Sequence, residues 1–295
     1  MNFNFSIIII GYNTLSHLKN LLHSIKKLNT QNINVEVIYI DDGSKDKSFE
    51  YFNSYKFPFQ KKSFKLQTNK GRVYATQKGI ESASGDWLLK IQSNMIVDCN
   101  LLQHYTKGIN DNNHLIFTGP ILYQCEDLVF EKYLNNKTRG INQYQNYNSV
   151  HYSHLLFGNT LMHKSVFDQI GLNLELTSYG GEDLEFASQV NQKFPNKIIA
   201  CKDAKIFRIQ HPTLIEHCSR LKEYGAHNFI LLSPKLKKQI IKFPILLSNI
   251  PGLSVFINCL YFTGLKIYKV PFFSNTVTKI ILGCAILRGY YSRTK

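Results

Sequence analysis

No aspartate or glutamate follows Glu223, although ten lysines and arginines lie between Lys235 and the last residue, Lys295. A balanced, water-facing surface is excluded for that stretch. Cysteine pairs are also missing. Cys99, Cys125, Cys201, Cys218, Cys259 and Cys284 are scattered with no C-x-x-C spacing, which fits neither a zinc site nor a secreted disulfide framework and suits a reducing compartment. G-x-G-x-x-G and G-x-x-x-x-G-K-[ST] are both absent, arguing against a dinucleotide cofactor and a P-loop. Residues 1–5 carry no basic leader or small-residue cleavage site, so a cytoplasmic protein is expected.

What is present is a chain of 295 residues with net charge +15, long enough to bury one or two cores without a staple. The basic end is interleaved with apolar stretches such as Ile240-Ile241, Ile245-Leu246-Leu247 and Ile280-Ile281-Leu282. Basic plus apolar in one segment marks a membrane-surface anchor. A nucleic-acid patch would be more polar, so no nucleic-acid partner is expected. Residues 243–265 are uncharged and long enough to span a bilayer. Pro244, Asn249, Pro251, Gly252 and Asn258 interrupt them, which favours a broken interfacial helix over a span; a buried core helix is the competing reading.

The first half alternates strand and helix patterns. Residues 5–10 and 35–40 are short, β-branched apolar runs, as in strands buried on both faces. Helical spacing follows over 15–28, and a second helix is expected from Ser44 or Lys45, with Ser44 as N-cap. Phe64-Lys65-Leu66-Gln67 reads as a third strand, residues 72–83 as a helix closed by a left-handed Gly85, and residues 87–91 as a fourth strand. The segment 111–153 is polar and rich in Asn and Tyr, resembling a variable loop or lid. A strand over 155–162, a short helix over 165–170 and a helix over 182–194 follow. The expected fold is α/β, a mostly parallel sheet flanked by helices, with ligands beyond the carboxyl ends of the strands. The expected divisions of the chain are 1–98, 99–232 and a basic tail, 233–295.

Tyr179-Gly180-Gly181-Glu182-Asp183-Leu184 places two carboxylates after a glycine pair, at the start of the last of these helices. A carboxylate there can take a proton from a substrate hydroxyl; acids complementing the helix dipole are the plainer alternative. Together with Ser6-Ile7-Ile8-Ile9-Ile10-Gly11-Tyr12-Asn13, Val37-Ile38-Tyr39-Ile40-Asp41-Asp42-Gly43-Ser44, Asn69-Lys70-Gly71, Ala83-Ser84-Gly85-Asp86-Trp87 and Gly158-Asn159, this motif resembles the family 2 glycosyltransferases of the GT-A fold, in order, over residues 5 to about 190.

The resemblance implies inverting transfer of a sugar from a nucleotide diphosphate, usually uridine-linked, to a hydroxyl. Tyr12 would lie against the base, with Asn13 beside it. Asp41 would accept the uracil imide hydrogen, and Asp42 would lie by the ribose or metal. The alternative for the acidic pair is a turn in which each aspartate bonds its own backbone. Arg72 would meet a phosphate, unless it is a solvated surface cation. Asp183 would be the general base and Glu182 would orient the acceptor, expected to be lipid-linked or an oligosaccharide.

The family's aspartate-x-aspartate triplet, whose last carboxylate holds Mg²⁺ or Mn²⁺, reads Gln92-Ser93-Asn94 here. Three readings follow. A metal is held by the diphosphate, Asn94 and His211; or cations such as Arg72, Lys90 or Arg208 replace it; or transfer is lost and a donor-binding or interaction module in polysaccharide assembly remains. The four retained acids, Asp41, Asp42, Glu182 and Asp183, favour an enzyme, and the basic tail places it in expectation peripherally at the inner face of the cell membrane.

Overall fold

A computed structural model describes residues 3–111, 114–241, 252–270 and 274–292. Strand β1 (Phe3–Gly11), helix α1 (Leu15–Lys26), β2 (Ile33–Asp41), α2 (Ser48–Ser54), β3 (Gln60–Lys65), α3 (Arg72–Ser82) and β4 (Trp87–Gln92) alternate as the apolar runs predict. Next come β5 (Met95–Val97), α4 (Leu101–Asp111), β6 (Ile116–Thr118), β7 (Ile121–Cys125), α5 (Leu128–Leu134), β8 (Thr160–His163), α6 (Lys164–Gln169), α7 (Glu182–Lys193), β9 (Ile198–Ala200) and β10 (Ile206–His211). Helices α8 (Leu214–Ala226), α9 (Asn228–Leu231), α10 (Pro234–Ile240), α11 (Leu253–Ile267) and α12 (Ser274–Tyr291) follow.

Among the described residues one seven-stranded sheet runs β3-β2-β1-β4-β8-β6-β9, and a second runs β5-β10-β7. β3, β2, β1 and β4 are mutually parallel, while β8 is antiparallel to both β4 and β6. β1 and β2 are apolar on both faces because each face is covered. Ile7, Ile9, Val37 and Tyr39 pack with Leu18, Leu21, Leu22 and Ile25 of α1. Ile8, Ile10, Ile38 and Ile40 pack with Ala75 and Ile80 of α3. Each such side chain contributes roughly 1.5–3 kcal/mol through burial, so these strands organise the sheet.

Several expectations are corrected. The second helix starts at Ser48, not near Ser44. Ser44 is tied up in the loop, its N–H donating to Asp41 (2.6 Å) and its hydroxyl accepting from Asn13 N–H (2.8 Å). The third strand is Gln60–Lys65, ending where 64–67 was expected to lie centrally. Helix α3 ends in an extended Ala83, and Gly85 adopts no left-handed conformation. The polar segment 111–153 is not a loop: it supplies β6, β7 and α5. Within 155–162 only Thr160 to Met162 are strand, preceded by a 3-10 turn, Phe157–Asn159.

The basic end supplies α10 and two longer helices, α11 and α12, that differ in burial. α12 is packed into the protein, burying Val277, Ile281, Cys284, Ala285 and Leu287. It crosses α8 at Gly225 and Gly289, where a Cβ would stand 1.9 Å from the carbonyl oxygens of Ile286 and Lys222 respectively. α11 covers α12 with Ile257, Tyr261 and Gly264 but leaves Val255, Phe256, Leu260, Phe262 and Ile267 exposed. No helix of the described residues is long and apolar enough to cross a membrane. Pro244, Ile245-Leu246-Leu247, Asn249 and Pro251 lie outside the described residues.

Candidate active site

Three strand ends align at one edge of the sheet: Gly11 is opposite Asp41, and Ile10 is opposite Gln92. Beyond them Asn13 takes φ 52° and locks two loops together, its side-chain oxygen accepting from Lys45 N–H at 2.8 Å. That lock leaves Tyr12 as an aromatic ring 44% exposed beside the acidic turn. Asp41 is fully buried. Its Oδ1 accepts from Ser44 N–H, while its Oδ2 is buried without any partner. A buried acceptor left unpaired costs about 1–3 kcal/mol, so Oδ2 is an acceptor that lacks a donor within the described residues.

Asp42 has a different task. Its two oxygens accept the backbone N–H groups of Lys70 (2.7 Å) and Gly71 (3.0 Å). Burial raises its pKa, against those two bonds, and the charge of Asp41 adds to the rise. Asp42 thus fixes the loop from which α3 springs, and Arg72, the first residue of that helix, reaches Glu182 with Nη2 at 2.8 Å from Oε1. The Arg72 guanidinium also lies 4.8 Å from the Tyr179 ring centre. Asp41, Asp42, residues 70–72, Glu182 and Asp183 are therefore linked by direct contacts, although 142 positions separate the first from the last.

The glycine pair is needed for shape. Gly180 and Gly181 have φ 87° and 90°, and a Cβ on Gly181 would lie 2.8 Å from the Tyr224 ring. Asn228 donates from Nδ2 to the carbonyls of Ser178 and Gly180, both at 2.8 Å, and accepts from Ser178 N–H. Tyr224 and Asn228 hold the entry to α7, so that Glu182 and Asp183 enter its first turn, where the helix dipole favours anions. Sequence reading missed both residues. No local signal marks them, because they act only through this tertiary contact.

Asp183 keeps part of its surface open, yet its pKa is raised to about 6. Burial is the main cause and the charge of Glu182 the next, opposed by Lys90, Arg72 and an N–H bond from Phe157. Lys90, buried on β4, lies 4.9 Å from the Phe157 ring centre, and burial lowers its pKa while both carboxylates raise it. A cavity of about 10 Å³ bordered by Lys90, Phe157 and Glu182 has room for about one water. A carboxylate near neutrality, with an ammonium beside it and an open side, suits a general base.

Gln92 and Asn94 are both half-buried, and Ser93-Asn94 turn the chain from β4 into β5. Opposite them, Arg208 of β10 pairs with Met95. His211 stands three residues further along, past an irregularity in the strand pairing. Its ring packs against Tyr123 (4.9 Å), His217 (5.4 Å) and Phe130 (5.8 Å). Burial, then the charges of Arg208, His217 and Arg220, hold its pKa down at about 2.

A mostly parallel sheet thus carries an exposed aromatic ring and an unpaired acid at its carboxyl edge, the place where open α/β sheets bind ligands, with the two carboxylates of α7 linked to it through Arg72. Residues 6–171 match the description "Glycosyl transferase family 2", and the chain belongs to that family. Over 124 residues it is 35% identical to an uncharacterized glycosyltransferase of Haemophilus influenzae, covering 41% of this chain and 48% of that one. Over 161 residues it is 32% identical to the minor teichoic acid biosynthesis protein GgaA of Bacillus subtilis, covering 50% and 35%. The chain thus spans about a third to a half of the length of these relatives.

Two solved structures show the shared fold. S. aureus TarS 1–349 in complex with UDP superposes with TM-score 0.60 at 16% identity, covering 100% of this chain and 92% of that one. The mannosyltransferase PcManGT of Pyrobaculum calidifontis, in complex with GDP-Man and Mn²⁺, superposes with TM-score 0.63 at 11% identity, covering 98% and 87%.

The residues here do not fit the divalent ion that the second of these contains. Mn²⁺ and Mg²⁺ are hard cations held by carboxylate charge, and the turn after β4 offers only the amides of Gln92 and Asn94. His211 is seated among aromatic rings with both ring nitrogens buried and unpartnered, but the charges of Arg208 and Arg220 disfavour a cation there. Among the described residues no group of three His, Cys, Asp or Glu could hold a metal.

Proposed function

We propose that the chain transfers a sugar from a uridine-diphosphate donor to a hydroxyl in a single inverting displacement. The observation that carries this reading is the buried, unpartnered Oδ2 of Asp41 beside the exposed ring of Tyr12. Uracil offers an imide N–H to that oxygen and a flat face to the ring; cytosine has no N–H at the same position. Asp42 then acts through the loop it fixes, and Asp183 accepts the acceptor's proton while Glu182, held by Arg72, orients the acceptor. Isothermal titration of the wild-type chain should show UDP binding at least about tenfold more tightly than CDP, with the gap narrowed in Asp41→Asn, whose amide serves either base. Equal affinity for the two nucleotides, or no nucleotide binding, refutes the assignment.

The acceptor is proposed to be a lipid-linked or surface-polysaccharide precursor. A groove of about 860 Å³ with both polar and apolar walls runs between β7, β10 and α8, bordered by Gln124, Glu126, Ile209, Pro212, Glu216 and Arg220. Hydroxyl-rich chains suit such a lining. The teichoic acid role in the name of GgaA supports an envelope polymer as product.

Location at an anionic membrane surface is supported by α11. Val255, Phe256, Leu260, Phe262 and Ile267 are exposed, and Lys266, Lys269 and Lys279 are exposed around them. An apolar face rimmed by cations lies in the lipid interface. Phe256→Ser with Phe262→Ser should abolish co-sedimentation with phosphatidylglycerol vesicles while leaving UDP affinity unchanged. Undiminished sedimentation excludes α11 as the contact.

A further inference from the structure

We propose that guanidinium groups, led by Arg208 with Arg72 and Arg220, take the place of a divalent ion in neutralising the diphosphate leaving group. This deepens the transferase reading and rests on it. Arg208 stands on β10 directly opposite Met95, the residue after the Ser93-Asn94 turn. Burial and the charges of Arg220 and Arg72 lower its pKa, opposed by Tyr123 and Tyr179, and its Nε is buried with no hydrogen-bond partner. Arg72 and Arg220 both approach the Tyr179 ring, at 4.8 and 6.0 Å from its centre.

Like charges gathered this closely repel each other, so the cluster is costly until an anion arrives. Arg72 has Glu182 as counter-ion, but among the described residues neither Arg208 nor Arg220 forms an ion pair. A diphosphate suits this place, because Arg72 follows the 70–71 loop that Asp42 holds beside Asp41 and Arg208 faces Met95, just past the turn that leaves Gln92. Guanidinium forks match phosphate oxygens in geometry as well as charge. The Gln92 and Asn94 amides add neutral donors, which a metal-binding carboxylate could not supply.

In the step itself, a lone pair of the acceptor oxygen forms the new bond to the anomeric carbon. The bond from that carbon to the diphosphate oxygen breaks, its electron pair leaving with the nucleoside diphosphate. The acceptor's proton passes to Asp183. The added negative charge appears on the phosphate beside Arg208, where a fixed cation stabilises the transition state more than the ground state.

The test uses UDP and uridine as probes in isothermal titration of the full chain. In EDTA the wild type should bind UDP, and millimolar Mn²⁺ or Mg²⁺ should change the affinity by less than about threefold. Arg208→Gln should weaken UDP at least about tenfold while leaving uridine affinity unchanged, a pattern that a misfolded variant cannot show. Arg208→Lys, which keeps the charge, should recover part of the loss. UDP binding that appears only with a divalent ion overturns the inference and leaves the transferase reading standing, as does an unaltered UDP affinity in Arg208→Gln. No binding of UDP or uridine under any condition overturns both.

Discussion

Asp183→Asn should lower the turnover number by roughly 10²–10⁴-fold, the range over which a positioned general base contributes, while UDP binds as tightly as in the wild type. The substitution keeps the shape of the side chain and its bond from Phe157 N–H but removes the lone pair that takes the acceptor proton. On the proposed reading nucleotide binding depends on Tyr12 and Asp41, which belong to other loops, so the two effects separate. A loss of UDP affinity alongside turnover would mean that Asp183 shapes the site rather than reacting in it. Unchanged turnover would exclude it as the base.

The same carboxylate sets the pH dependence. Its proton-accepting form predominates only above its pKa of about 6. The acid limb of the profile of kcat/KM should therefore bend near pH 6 and fall tenfold per unit below it. Burial and the charge of Glu182 produce the elevation, so Glu182→Gln should move the bend to lower pH. Arg72, released from its partner, would push the same way. A shift to higher pH would contradict this ordering of the charges.

How far these groups could be read in the sequence depends on how local their causes are. β1, β2 and β4 are legible because burial on both faces demands an unbroken apolar run, and the acids at their ends stand out against it. α7 is legible from its spacing and the glycine pair. By contrast β6 has three residues and β7 has five, too few for a period to show. Their partners are β8, β9 and β10, far along the chain. Tyr224 and Asn228 carry no motif at all; their role exists only once α8 and α9 pack beneath Gly180 and Gly181. Arg208 was visible as a cation, but its register with Met95 is a property of the folded sheet. The exposed apolar face of α11 was likewise visible only as composition, since the sequence could not separate it from the buried α12.

Glu36 was not singled out by sequence, yet its removal should be the most destabilising surface-sparing change in the sheet. It is 6% exposed on β2. It accepts from the hydroxyls of Ser6 and Ser84, from the N–H groups of Ser84 (2.6 Å) and Gly85 (3.2 Å), and from the Lys62 ammonium (2.8 Å). Burial alone would raise its pKa; Lys62, Ser6 and Ser84 together outweigh burial and bring it from 4.5 to about 2. A displacement of that size corresponds to about 3 kcal/mol. Because the folded-state value is the lower one, this stability is fully present above pH 4.5 and drains away as pH falls toward 2. Glu36→Gln puts an amide N–H₂ against either the Lys62 ammonium or two backbone N–H groups, so the donors cannot all be satisfied. Thermal unfolding at pH 7 should fall by roughly 6–12 °C, with the gap from wild type narrowing below pH 4.5. Turnover per folded molecule should be unaffected, since Glu36 joins β1, β2 and the 84–85 loop away from the strand ends that hold Asp41 and Gln92. A pH-independent gap would show that packing, not charge, carries the contribution of Glu36.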